Sequence, residues 1–248
     1  KLSVADKTVA TVPFSVDTTK QIQTAVRVKQ DLDQEQFNTK MLRFVQVSPD
    51  GKQAVFTALG HLYITDVANP KPRRLTKQST DFEYYPQFSR DGKELVYVSW
   101  NDTNQGAVNI LNLRNGRITK LTSEPGKYVE PVFSPDGKTL AFSSQRIPGF
   151  YADTARLQLY DIATKKQREL TTNWDRSVSS FVWAADSKGF YASIDDAAVR
   201  RLYYIEAKNG KPRAITKETS YGQPALVGKN QLVATNDSFL HPARLVLV

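Results

Sequence analysis

The sequence predicts an all-β protein, a β-propeller of four-stranded blades, and three observations carry that prediction. One phrase recurs four times: Phe44-Val45-Gln46-Val47-Ser48-Pro49-Asp50-Gly51-Lys52, Pro86-Gln87-Phe88-Ser89-Arg90-Asp91-Gly92-Lys93, Pro131-Val132-Phe133-Ser134-Pro135-Asp136-Gly137-Lys138 and Phe181-Val182-Trp183-Ala184-Ala185-Asp186-Ser187-Lys188. Its acidic positions, 50, 91, 136 and 186, lie 41, 45 and 50 residues apart. A second phrase keeps the same interval: Leu75-Thr76, Leu121-Thr122, Leu170-Thr171 and Ile215-Thr216. The third observation is the near absence of helical periodicity. A repeat of this length that reads as four short strands is the mark of a propeller blade. Five blades are expected, with six as the alternative.

The elements follow in order. Residues 1–16 read as closing strands, with Thr8–Phe14 expected to complete the last blade as its outer strand and Lys1–Ala5 as a surplus strand. Such a clasp would join the chain ends and leave no open ring. Residues 17–38 are an inter-blade insertion, polar overall, in which Val26 and Val28 alternate with Arg27 and Lys29 as in a strand. The blades fall at about 39–76, 81–122, 128–171, 176–216 and 220–248, the last a worn copy carrying Pro224-Ala225-Leu226-Val227. In the third blade Glu130–Phe133 is an apolar strand, Thr139–Ser143 the next, Leu157–Asp161 an alternating strand after a long loop, and Gln167–Thr171 the closing one. The Ser-Pro-Asp-Gly turn has a local explanation. Proline presets φ, Asp accepts backbone hydrogen bonds, and Gly takes the positive φ that such a turn needs. Asp50, Asp91 and Asp136 are therefore expected to be turn devices, not a catalytic set.

Composition removes several function classes. With 248 residues the chain can bury a core without staples, and with no Cys it has no disulfide, zinc ribbon or thiol nucleophile. The net charge of +9 is scattered over turn flanks such as Lys71, Arg73 and Arg74 or Lys208, Lys211 and Arg213, so no nucleic-acid partner is expected. No apolar run is long enough to span a membrane, and the first residues lack the apolar core of a signal peptide; any export signal is expected to have been removed or never present. No Gly-x-Ser-x-Gly string occurs, and the two histidines, His61 and His241, are isolated. No catalytic residue, metal site or cofactor is expected, and a monomer is.

The face of the propeller where the first strands begin and the second and third strands join collects aromatics and carboxylates. By blade register these are Glu83, Tyr84, Tyr85, Trp100, Asp102, Glu130, the loop 145–156 with Arg146, Phe150, Tyr151 and Asp153, then Trp174, Asp175, Asp195 and Asp196. Ring faces and charge together suit a cationic or peptide ligand. Packing between blades is the other reading of Tyr84, Tyr85 and Trp174, and a plain exposed turn that of Asp195-Asp196.

Two resemblances cover nearly the whole chain. Residues 1 to about 142, with Thr11-Val12-Pro13-Phe14, the Asp-Gly turns, Pro72-Arg73-Arg74-Leu75-Thr76, Glu83-Tyr84-Tyr85-Pro86 and Trp100-Asn101-Asp102, resemble the TolB-like propeller repeats found beside amidohydrolase domains. From about 128 onward, Arg146-Ile147-Pro148-Gly149-Phe150-Tyr151-Ala152-Asp153, Leu159-Tyr160-Asp161, Trp174-Asp175-Arg176-Ser177 and Phe239-Leu240-His241-Pro242-Ala243-Arg244-Leu245 resemble the gating propeller of prolyl-oligopeptidase-family serine peptidases. Neither family's catalytic domain lies within these residues. The change of resemblance inside 128–142 suggests an excised or recombined propeller, and the families imply a periplasmic or extracytoplasmic setting. The peptidase motif usually has an acid where Tyr151 stands, which weakens an inherited contact to a substrate amine. The functional expectation is a non-catalytic scaffold or binding module taking a peptide or protein. The alternatives are the substrate-gating propeller of a serine peptidase or amidohydrolase and a TolB-like protein-interaction module.

Overall fold

A computed structural model describes residues 3–29, 33–147, 149–178, 180–228 and 231–248. The chain forms two compact units, Lys1–Asn38 and Thr39–Val248, and no helix occurs among the described residues.

The first unit contains no strand among its described residues. Its ordered feature is a tight turn: the Ser3 amide donates to the Thr8 carbonyl at 2.9 Å, and the Thr8 amide and hydroxyl donate to Asp6 Oδ1 at 3.1 and 2.9 Å. Hydrogen bonds from Ser3 and Thr8 hold the Asp6 carboxyl at a pKa of about 2. The strand expected over Thr8–Phe14 is not formed, and Val9, Val12 and Phe14 are 80%, 60% and 86% exposed. Pro13, within the segment, has no amide to donate to a ladder. Residues 3–5 likewise form no strand, residues 1–2 lie outside the described set, and Val26 and Val28 stand exposed outside any strand.

The second unit is five antiparallel sheets in chain order. The first holds β1 (Arg43–Val47), β2 (Gln53–Ala58), β3 (His61–Asp66) and β4 (Arg73–Arg74). The second holds β5 (Phe82–Phe88), β6 (Glu94–Asn101), β7 (Gln105–Asn112) and β8 (Ile118–Lys120). The third holds β9 (Lys127–Phe133), β10 (Thr139–Gln145), β11 (Arg156–Asp161) and β12 (Gln167–Glu169), and the fourth β13 (Phe181–Trp183), β14 (Gly189–Asp196), β15 (Val199–Glu206) and β16 (Pro212–Ala214). The fifth has three strands, β17 (Ser220–Val227), β18 (Gln231–Ser238) and β19 (His241–Leu247). This is a five-bladed propeller in which four blades have four strands and the last has three.

The repeated phrases are the local devices of this architecture. In the first three blades the serine hydroxyl donates to the turn aspartate, Ser48 to Asp50 at 2.6 Å, Ser89 to Asp91 at 2.7 Å and Ser134 to Asp136 at 2.6 Å. The same serine oxygens accept the amides of Gln53, Glu94 and Thr139, which start the second strands. The serine first, then the amides of Lys52, Lys93 and Lys138, hold these carboxyls below their usual range. Gly51, Gly92 and Gly137 take φ near +70°, at 73°, 69° and 71°. In the fourth blade Ala184 replaces the serine, and only the aspartate bond to the Lys188 amide at 3.0 Å survives. The Leu-Thr phrase serves the third strands instead. The hydroxyls of Thr122, Thr171 and Thr216 accept the amides of Val108, Leu157 and Leu202 at 3.1, 3.1 and 3.0 Å.

Each pair of sheets consecutive in the chain shares one apolar cluster. Along β6 the alternation decides which: Leu95 and Tyr97 pack with Val55, Leu62 and Ile64 of the first sheet. Val96 and Val98 pack with Leu140, Phe142 and Tyr160 of the third. Ala141, Leu157 and Leu159 meet Phe181, Phe190 and Ile194 between the third and fourth sheets. The last interface is slighter, Leu202 against Leu232 and Ala234. Middle strands buried on both faces explain their unbroken apolar runs; each fully buried Leu, Val or Phe side chain contributes about 1.5–3 kcal/mol by transfer from water. No hydrogen bond, ion pair or core cluster joins the fifth sheet to the first among the described residues.

Candidate functional site

A bowl of about 890 Å³ opens at the end of blades 1–3 where inner strands begin and second strands turn into third. In an antiparallel blade those two places lie at the same end, so the register alone gathers them. Blade 1 contributes Arg43, Phe44, Leu59 and Gly60; blade 2 Phe82, Tyr84, Tyr85, Trp100, Asp102 and Gln105; blade 3 Lys127, Tyr128, Gln145, Phe150 and Tyr151. The aromatic wall is continuous: Phe44 lies 4.3 Å from Tyr85 and 6.3 Å from Tyr84, centroid to centroid, and Phe82 lies 6.3 Å from Tyr84. Trp100 Nε1 donates to Asp102 Oδ1 at 3.0 Å, which fixes the indole at the rim. Lys127 Nζ sits 5.1 Å over the Tyr151 ring. Where blades 2 and 3 meet, the Gly106 amide donates to the Gly126 carbonyl at 2.9 Å, and a Cβ on Gly106 would stand 2.4 Å from that oxygen, so only glycine fits.

The inner strands share a bulge. Phe44, Tyr85, Glu130 and Gln223 occupy equivalent positions in blades 1, 2, 3 and 5, with φ of 53°, 54°, 53° and 50°, each within a register shift against the second strand. Left-handed backbone at bulky residues costs roughly 1 kcal/mol or more, and bulges of this kind re-aim side chains next to functional sites. Burial pushes up the phenols of Tyr84 and Tyr85, the latter aided by the Glu130 charge, and burial also raises the Glu130 carboxyl.

Of the residues nominated from sequence, Tyr84, Tyr85, Trp100, Asp102, Phe150 and Tyr151 come together in the bowl, and Glu130 stands beside Tyr85. The others are engaged elsewhere. Glu83 is wholly buried and accepts from the Leu62 amide at 2.9 Å, the Thr76 hydroxyl at 2.8 Å and Gln78 Nε2 at 2.7 Å, with His61 3.9 Å away. In blade 1 it does what the threonine hydroxyl does alone in blades 2–4. Asp153 ties down its own loop through the Arg146 amide at 2.6 Å, the Ile147 amide at 3.0 Å and Arg156 Nη1 at 2.9 Å; burial opposes its charge, but these donors win and lower the carboxyl. Arg146 pairs with Glu169. Pro148, in the same motif, lies outside the described residues. Trp174 packs on Tyr203 at 5.1 Å and Asp175 pairs with Arg176 at 2.8 Å, both in blade 4. Phe44 was missed, although it is the register equivalent of Tyr85, and so were Phe82 and Lys127, whose signal was only their place at strand ends.

The face of blades 4 and 5 has a different character. Asp196 accepts from Arg176 at 3.0 Å, Arg201 at 2.6 Å and the Tyr203 hydroxyl at 2.7 Å, and Asp195 pairs with Arg200 at 2.8 Å. Among the described residues neither histidine is hydrogen-bonded to a serine: His61 meets Arg74 at 3.0 Å, and His241 Nδ1 lies 3.0 Å from the Pro242 carbonyl. No metal-ligating cluster exists among the described residues.

Comparison with known proteins agrees with this architecture. No protein-family profile matches the chain. Dipeptidyl-peptidase 5 of Porphyromonas gingivalis is 32% identical over 176 residues, 68% of this chain and 25% of the relative. A probable dipeptidyl-peptidase 5 of Emericella nidulans is 34% identical over 112 residues, 44% of this chain and 15% of the relative. The chain thus spans about a quarter or less of these curated relatives. Among solved structures, a putative TolB from Agrobacterium tumefaciens superposes with a TM-score of 0.66 at 19% identity, covering 84% of this chain and 76% of that one. A puromycin-hydrolysing peptidase of Mycobacterium tuberculosis gives 0.64 at 18%, covering 79% of this chain and 35% of that one. The chain is a β-propeller of the architecture shared by TolB and by prolyl-oligopeptidase-family peptidases.

Proposed function

We propose that this chain is the non-catalytic propeller of a dipeptidyl-peptidase-like enzyme and that it holds peptide in the bowl of blades 1–3. The observation that carries the reading is the continuous aromatic wall of Phe44, Phe82, Tyr84 and Tyr85 at the mouth, closed at its rim by Trp100. Its support from outside is that the curated relatives are peptidases of which this chain matches only a part. A natural origin belongs to the same reading: a match covering 68% of the chain cannot be placed without crossing residues 128–142, so one relative accounts for both sides of the expected junction. The likeness to TolB supports an extracytoplasmic setting. The test is to titrate the purified chain with short peptides, following Trp100 fluorescence, and to assay peptide and ester hydrolysis in parallel. Saturable binding without turnover is expected; turnover abolished by a serine-directed inhibitor would overturn the non-catalytic part.

A second reading, a partner-binding module like TolB, is favoured by Phe239 and Leu240, both fully exposed at the β18–β19 turn. Capture of one protein, lost on Phe239→Ser with peptide binding intact, would favour it.

A further inference from the structure

The bulge recurs from blade to blade, so it belongs to the architecture, whereas the side chain it carries changes. The four positions are Phe44, Tyr85, Glu130 and Gln223, and Glu130 is the one carboxylate among them. It is partly buried, and among the described residues it has no hydrogen bond or ion pair. Every other buried or half-buried carboxylate near this face has internal partners: Glu83 has three donors, Asp153 three and Asp196 three. A carboxylate partly withdrawn from water without a partner carries a desolvation cost, and its persistence points to a ligand that supplies one.

The bowl beside it leaves further oxygens unanswered. Gln105 Oε1 and Thr57 Oγ1, both on the bowl lining, are buried without a hydrogen-bond partner. The fixed donors of the bowl are elsewhere: Arg43 is solvent-exposed, and Lys127 lies over Tyr151. What the site lacks is thus a group rich in N–H donors carrying positive charge. The rings of Phe44 and Tyr85, 4.3 Å apart, line the bowl as an apolar surface, and the Glu130 charge is felt at the Tyr85 phenol. A lysine or arginine side chain matches this sequence of surfaces, with an aliphatic stem for the rings and a cation for the carboxylate.

We infer that Glu130 is a specificity residue that selects peptides bearing a basic side chain, the stem lying on Phe44 and Tyr85 and the cation meeting the carboxylate. The inference rests on the proposal that the bowl holds peptide. The two can be separated by titrating the full chain with a pair of N-acetylated, C-amidated tripeptides that differ only in a central lysine or norleucine. The blocked ends remove any contribution from a terminal amine. The lysine peptide is expected to bind roughly tenfold or more tightly, the worth of one charge-assisted hydrogen bond. Glu130→Gln should abolish that preference while leaving norleucine-peptide affinity and the melting temperature unchanged. Equal affinity of the wild-type chain for both peptides would overturn the inference and leave the bowl proposal standing. Failure of either peptide to bind would overturn both. The lysine-to-norleucine ratio of the wild-type chain does not depend on any variant folding.

Discussion

Blades 1–3 and blades 4–5 share one antiparallel strand order, yet they present opposite surfaces at the same end. Blades 1–3 expose rings and leave acceptors without partners: Glu130, Gln105 Oε1 and Thr57 Oγ1. Blades 4–5 carry more charge at the same level, but it is spent internally, with Arg176, Arg201 and Tyr203 converging on Asp196 and Arg200 on Asp195. A charged surface whose charges are already paired offers little to a ligand, whereas an apolar one with unanswered acceptors offers both area and direction. The difference lies in which charges have internal partners.

Replacing Glu83, the carboxylate of the second blade that ties down the third strand of the first, should have the largest effect. Glu83→Ala strands the Leu62 amide, the Thr76 hydroxyl and Gln78 in a dry site, and a loss of about 3 kcal/mol or more is expected in denaturant unfolding. Thr171→Val, which removes the corresponding single acceptor from blade 3, should cost about 1–2 kcal/mol; an equal loss for the two would show that the carboxylate adds nothing to the threonine device. Next comes peptide binding. Tyr85→Ala with Trp100→Ala should weaken peptide binding by roughly 5- to 50-fold through the lost ring contacts, while Asp196→Asn should leave it unchanged, and the reverse pattern in a titration would move the site to blades 4–5.

The paired end should show itself in acid. The Tyr203 hydroxyl first, then Arg176 and Arg201, lower the Asp196 carboxyl below its usual value of 3.8. A carboxyl lowered in the folded state contributes stability above its unfolded pKa, and that contribution is lost as pH falls through the folded value. Melting temperature should therefore drop below about pH 4, and less steeply in Asp196→Asn. The smallest effect belongs to the exposed pair: Arg200→Ala, which frees Asp195, should change stability by no more than about 0.5 kcal/mol, measured by the same unfolding.

Much of the molecule is legible in its repeats because the repeats are local chemistry. Ser134, Asp136 and Gly137 make their turn with atoms a few residues apart, and no distant contact is needed to read it. Register then placed Tyr84, Tyr85, Trp100, Phe150 and Tyr151 at one end of their blades. It could not separate a ligand-facing carboxylate from a structural one. Glu83 and Glu130 look alike in sequence, and only the donors around Glu83, two of them in the preceding blade at Leu62 and Thr76, distinguish them. The clasp expected from Thr8–Phe14 is not formed: no strand lies there, and Val9, Val12 and Phe14 stand exposed, with no neighbouring strand to pack them.

By itself the sequence determined the blade, its four-stranded rhythm and its turns, because these depend on spacing and on bonds within a few residues. The tertiary structure alone decided which polar groups are answered and which rings share a wall, because both depend on the neighbouring blade. That is why the charge of +9 says little about the site, whereas a single unpaired carboxylate at Glu130 says more.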